Sequence, residues 1–160
     1  MVPFMQEPPP TGSAFLLAQL GAHATRRFTE RIAELDLTPP QTGLLRVIAR
    51  RPGESQQVLA AELGTPPTRL VALVDGLEQR GLIERRRNPQ DRRLYAVHLS
   101  DKGRETMRAL AKVGAAHEEE LTSALSTEER MVLHGLLGRI AETHGLSQGV
   151  HPGYRDLDRP

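Results

Sequence analysis

Apolar positions in residues 13–37 recur at helical spacing. Leu16, Leu20, Ala24, Phe28, Ile32 and Leu35 form one stripe, with His23, Arg27 and Arg31 lying off it. This spacing predicts an amphipathic helix. Thr38-Pro39-Pro40-Gln41 follows, combining a capping Thr, proline at the first helical position and a Gln that can reach back to the cap. A second helix therefore starts here. It carries Leu44, Leu45, Val47 and Ile48 and ends at Arg50-Arg51-Pro52-Gly53. Ser55 caps a short helix anchored by Leu59 and Leu63, Gly64 makes a tight turn, and Thr65-Pro66 opens a longer helix. There Leu70, Leu73, Val74 and Leu77 share one face, while Thr65, Thr68, Arg69, Ala72 and Gly76 occupy the other. A helix that is apolar behind and small, polar or basic in front can lie against another molecule.

Beyond Gly81, a natural helix stop, the pattern changes to period two. Leu82 and Ile83 open one strand, and Tyr95, Val97 and Leu99 alternate along a second. Between them RRRNPQDRR, residues 85–93, sets arginines around an Asn88-Pro89 turn. So much positive charge at a hairpin tip is not core-forming; guanidinium groups suit phosphate. Ser100 then caps a long helix with Met107, Leu110, Ala111, Val113, Leu121 and Leu125. Ser126-Thr127-Glu128-Glu129 is a second capping box, opening a helix with Leu133, Leu136, Leu137 and Ile140 that Gly145 closes. The chain is thus expected to be mainly α with a small β-hairpin wing, a winged helix-turn-helix at 38–99 flanked by helices at 13–37, 100–125 and 126–145. Residues 1–12 are expected to be a mobile proline-rich arm and 146–160 a flexible tail. The flanking apolar stripes exceed what a small winged domain covers, so they predict an intertwined homodimer.

Charge sharpens this picture only locally. The net charge is +1, but acidic residues gather at 117–120 and 127–130 and leave 85–93 strongly basic. Local clusters matter because screening cuts interactions beyond about 8–10 Å. The chain has 0 cysteines, which removes disulfides and thiol chemistry. Neither a signal peptide nor an apolar run of membrane-spanning length is visible, so a cytoplasmic protein without membrane contact is expected.

Three segments resemble the MarR (multiple-antibiotic-resistance regulator) family of bacterial transcription factors: LAAELG at 59–64, LVDGLEQRGLIER at 73–85, and DRRLYAVHLSDKG at 91–103. The last is similar to the family's wing signature, an Asp, an Arg two residues on, an alternating strand and Leu-Ser-x-x-Gly opening a helix. The resemblance implies a homodimeric repressor on double-stranded DNA. Its recognition-helix contacts would come from Thr65, Pro67, Thr68 and Arg69, in the major groove. In the wing, Asp91 would hold Arg93 for the minor groove, with Arg85, Arg86, Arg87 and Arg92 as general phosphate contacts. It also implies a cleft for a small aromatic or phenolic effector, bordered by His23, Arg27 and His117, and terminal helices that form the dimer.

Other chemistry finds little support. No GxSxG, Walker-type or dinucleotide-binding glycine pattern occurs, so neither an enzyme nor a cofactor is expected. His117 precedes Glu118-Glu119-Glu120, but adjacent helical residues point apart, so no metal site is expected either. A protein-interaction module and an architectural DNA binder without effector remain alternatives.

Overall fold

The computed structural model describes residues 11–91, 93–146 and 148–151. Its elements are α1 (Ser13–Ala33), α2 (Pro39–Arg50), α3 (Gln56–Leu63), α4 (Pro67–Gln79), β1 (Ile83–Arg87), β2 (Tyr95–Leu99), α5 (Asp101–Leu121) and α6 (Thr127–Thr143). The strands pair antiparallel from Ile83–Leu99 to Arg87–Tyr95, and an isolated bridge joins Ser55 to Ala96 at the root of the hairpin. The fold is the expected one: helices with a winged helix-turn-helix at the centre.

Local chemistry sets most boundaries. Thr38 accepts from the Gln41 N–H while the Gln41 side chain accepts from the Thr38 N–H, the reciprocal cap that starts α2; Ser126 and Glu129 do the same for α6. Gly64, at φ 63°, ends α3 in the left-handed conformation. Helix α1 stops at Ala33, short of the predicted 37. Asp36 (φ 54°) takes the left-handed position and lets Leu37 N–H return to the Ile32 carbonyl. Arg80, from the end of α4, donates to the carbonyls of Asp36 (2.5 Å) and Leu35 (3.4 Å). Two helix ends thus share one guanidinium.

The core gathers Ile32 of α1 and Leu37 just beyond it, Leu44, Leu45 and Ile48 of α2, Leu59 of α3, Leu70, Val74 and Leu77 of α4, Ile83, Val97 and Leu110. The α2 and α4 members are from the predicted stripes, whereas of the stripe predicted over 13–37 only Ile32 is buried; α4 is fixed through its apolar back. The wing joins α5 through one compact joint. Ser100 Oγ–H donates to the Gly81 carbonyl (2.6 Å) and accepts from the Gly103 N–H (2.9 Å). Gly103 is buried against the Leu82 carbonyl, where an added Cβ would overlap backbone oxygen. Gly103→Ala is therefore expected to cost about 2–3 kcal/mol, read as a lowered urea midpoint. A variant of unchanged stability would show that this joint yields easily.

The outer helices are different. Not one described residue of α6 is buried. Met131, Val132, Leu136 and Ile140 on α6, with Phe15, Leu16, Leu17 and Leu20 on α1, are all exposed apolar side chains. Single exposed apolar residues are ordinary, whereas a contiguous set of this kind marks a contact surface. Residues 1–10 of the expected arm and 152–160 of the expected tail lie outside the described residues. Within the tail, the Gln148 carbonyl accepts from Arg50 of α2 (3.3 Å).

Candidate nucleic-acid interface

Helix α4 sits on the core through Leu70, Val74 and Leu77, which leaves its other face to solvent. Pro67, Thr68, Val71 and Ala72 are exposed there, Val71 at 44%. Thr65 is turned inward, only 9% exposed, and its N–H bonds the Ala60 carbonyl (3.1 Å) as part of the turn that closes α3. The cap position falls on Pro66, with no side-chain cap. Arg69 is half-buried, lining a narrow crevice with Pro40, Leu63 and Leu73. Of the predicted helix residues, Pro67 and Thr68 are fully presented. Val71 joins them, although its apolar character gave no reason to expect it on the outer face.

The wing arginines divide by environment. Arg85 has a 19% exposed side chain and ion-pairs with both Asp75 and Glu78 of α4, while its N–H also donates to Glu78 (3.2 Å). It is a strut between the recognition helix and the hairpin. Arg86 pairs with Glu84 on the same strand (2.9 Å) and stays 59% exposed. Arg87 and Arg93 are exposed and form no ion pair among the described residues. Arg92 lies outside the described residues.

Two side-chain turns shape the tip. Asn88 Oδ1 accepts from the Gln90 N–H (2.9 Å) and Asp91 Oδ1 from the Arg93 N–H (3.0 Å). Both are the local bonds by which Asn and Asp replace a backbone turn. Leu94 N–H then bonds the Asp91 carbonyl, and Asn88 N–H the Leu94 carbonyl. Asp91 and Arg93 are thus linked through the Arg93 backbone N–H, not through the guanidinium that the family resemblance implied Asp91 would hold. The carboxylate fixes the turn that carries the guanidinium.

A second feature lies between α1, α2 and α5. A cavity of about 300 Å³ is lined by Thr25, Phe28, Thr29, Arg46 and His117, among others. The His117 ring stands 5.6 Å from that of Phe28, and the Arg46 guanidinium lies 5.4 Å over the Phe28 ring centroid. His117, His23 and Arg27 also border an adjoining recess of about 190 Å³. Arg27 is taken up there by Glu30 (2.7 Å) and Glu120 (3.1 Å), and His23 Nδ1 lies 3.4 Å from Arg26. The three predicted pocket residues are therefore brought together, with Arg27 already neutralised. Phe28 and Arg46 are additions that neither stripe had distinguished from packing or a solvated face.

Burial, followed by the positive charge of Arg31, pushes the His117 imidazole below its ordinary value, against the opposing pull of Glu120 and Glu118. The unfolded chain therefore binds this proton first as pH falls. The corresponding stability is complete above about pH 6.5 and is lost as pH drops through the lower folded value. His117→Gln should flatten the fall in urea midpoint between pH 7.5 and 5. An unchanged profile would place that pH dependence on other groups.

Comparison with known proteins agrees with this geometry. Residues 35–94 match the MarR family model. The transcriptional regulator HosA of Escherichia coli O111:H- is 31% identical over 124 residues, covering 78% of this chain and 90% of its own. The solved transcriptional repressor CouR, bound to a 23-mer DNA duplex, is 35% identical with a TM-score of 0.71, over 81% of this chain and 92% of its own. A mutant MarR from E. coli complexed with operator DNA is 26% identical with a TM-score of 0.67, over 79% and 91%. Members of this family are transcription factors, not enzymes. No helix among the described residues is long and apolar enough to cross a membrane. With a regulator above 30% identity covered almost end to end, and the same winged helix in the solved structures, the chain belongs to the MarR family.

Proposed function

We propose that the chain is a sequence-specific DNA-binding regulator, a cytoplasmic repressor that acts as a homodimer on a pseudo-palindromic operator and is released by a small-molecule effector. One observation carries the reading: a recognition helix presenting Pro67, Thr68, Val71 and Ala72 is strutted by Arg85 to a hairpin with Arg86, Arg87 and Arg93 exposed. In this reading Thr68 and Val71 meet base edges in the major groove, Val71 against a thymine methyl group. Arg69 contacts a guanine edge or a phosphate at the same turn. Arg86, Arg87 and Arg92 bind phosphates, Arg93 enters the minor groove, and Arg85 holds the two readers in register. Thr65, being buried, supports the turn rather than the DNA.

The effector is an aromatic or phenolic acid in the cavity of Phe28, Arg46 and His117. The ring would stack on Phe28, the carboxylate would pair with Arg46, and a largely neutral His117 would hydrogen-bond a phenol. Its binding between α1 and the DNA-reading unit changes the spacing of the recognition helices, which a rigid duplex does not tolerate. A shift assay with excess unrelated competitor DNA tests the DNA reading, which predicts retention of the complex on the chain's own promoter. Loss of all binding to competitor would leave a protein-interaction module. Titration of aromatic acids into the complex tests the effector, with Arg46→Gln expected to desensitise release while DNA is still bound.

A further inference from the structure

A larger cavity, about 490 Å³, opens at the wing root, where β1, β2, the end of α2 and the first turns of α5 meet. Ile48, Leu99 and Met107 supply apolar side chains to its wall, and Arg86, Arg104 and Arg108 supply charge. No Asp or Glu among the described residues lines it. Two of the arginines are already engaged, Arg86 by Glu84, and Arg104 by Asp101 and the Leu99 carbonyl. Arg108 is exposed and has no ion-pair partner among the described residues. His98 adds a ring with a hydrogen-bonding nitrogen. The strand register accounts for Arg86 and His98, which share one face of the hairpin; Leu99, paired with Ile83, joins the wall from the other face at the root of the wing. Arg86–Ala96 and Glu84–His98 lie on one face of the hairpin, while Ile83–Leu99 and Arg85–Val97 lie on the other, from which Arg85 reaches α4. The hairpin's two faces therefore carry different chemistry.

We propose that this cavity binds an organic anion with an apolar body, a carboxylate whose ring or acyl chain lies on Ile48, Leu99 and Met107 and whose charge meets Arg108. The volume falls in the range of small-molecule sites, as does the pairing of an apolar wall with a few polar groups. A guanidinium without a carboxylate partner provides the charge-assisted bond. Arg86 and Arg104, paired with Glu84 and Asp101, leave Arg108 as the lining arginine without an ion-pair partner among the described residues. The site shares no lining residue with the Phe28–His117 cavity, so it is separate from the effector pocket proposed above. Its occupation needs no DNA, so the proposal does not rest on the DNA-binding reading.

The test uses full-length protein with 13C-methyl methionine, without DNA, titrated with 2-naphthoate. Met107 lines the cavity, whereas Met131 lies on exposed α6. The Met107 methyl resonance should shift saturably under the naphthalene ring current while Met131 stays in place. Arg108→Gln, a surface change, should weaken the titration about tenfold. Ala49→Trp, which fills the cavity from α2, should abolish it. Inorganic phosphate should move Met107 far less than naphthoate, since it has nothing to place on the apolar wall. An unmoved Met107, a shift equal in wild type and Arg108→Gln, or phosphate as effective as naphthoate would each overturn the proposal.

Discussion

Leu136→Asp combined with Ile140→Asp should convert the protein from dimer to monomer at micromolar concentration and weaken operator binding at least about a hundredfold. Both side chains are exposed in the single chain, at 49% and 47%, and belong to a helix that buries nothing on its own protomer. Each apolar side chain of this size stabilises a buried interface by about 1.5–3 kcal/mol. The substitutions replace that gain with carboxylates that resist desolvation. A two-fold interface presents each change twice. The loss on DNA follows from avidity: once one half-site is held, the second meets its reader at a high effective concentration, worth about 10²–10⁴ in affinity. Sedimentation and anisotropy on the same samples measure both effects. A wild-type protein monomeric at micromolar concentration, or a variant still dimeric, would remove the outer helices from this role.

Arg93→Ala should weaken binding to every operator by about tenfold or more and lower the salt slope by about one per half-site. It should also reduce preference for A·T-rich flanks, whose narrow minor grooves concentrate negative potential, while leaving preference within the half-site unchanged. The structure separates two accounts of Asp91. Its Oδ1 accepts from the Arg93 N–H at 3.0 Å, so Asp91→Asn keeps an acceptor and should retain most affinity, whereas Asp91→Ala should resemble a mild Arg93→Ala. If a charge on the guanidinium were what mattered, Asn would fail as badly as Ala. Thr68→Ala and Val71→Ala, in contrast, should alter preference inside the half-site with the salt slope intact. Wild-type affinity and flank preference in Arg93→Ala would take the wing out of the mechanism.

Much of the architecture was legible because it is decided locally. The Thr38–Gln41 and Ser126–Glu129 caps, the Gly64 turn and the Ser100–Gly103 joint each depend on residues within a few positions of one another. The core followed from helical periodicity, which is equally local. The candidate site was less legible because tertiary placement divides similar residues. Arg85 and Arg87 differ by two positions, yet one meets Asp75 and Glu78 on the preceding helix and the other points to solvent. Nothing in the run of arginines marks that difference; both lie on one face of the hairpin, and of the two only Arg85 stands near enough to α4 to meet its carboxylates. Thr65 looked like a helix cap, but the closing turn of α3 uses its N–H and buries its side chain. Arg46 lay inconspicuously among the apolar residues of α2, and its partner Phe28 read as core. Their pairing appears only once α1 crosses α2.

Selection of bound duplexes from random DNA by the full-length protein tests the central claim most directly. The account predicts an enriched pseudo-palindrome with half-site centres about one helical turn apart, roughly 10 base pairs, and A·T-rich flanks where the wings reach. The enriched duplex should bind at least about a thousandfold more tightly than its scrambled version at physiological salt. A pool without enrichment, or a single unpaired half-site bound as tightly as any longer sequence, would contradict it.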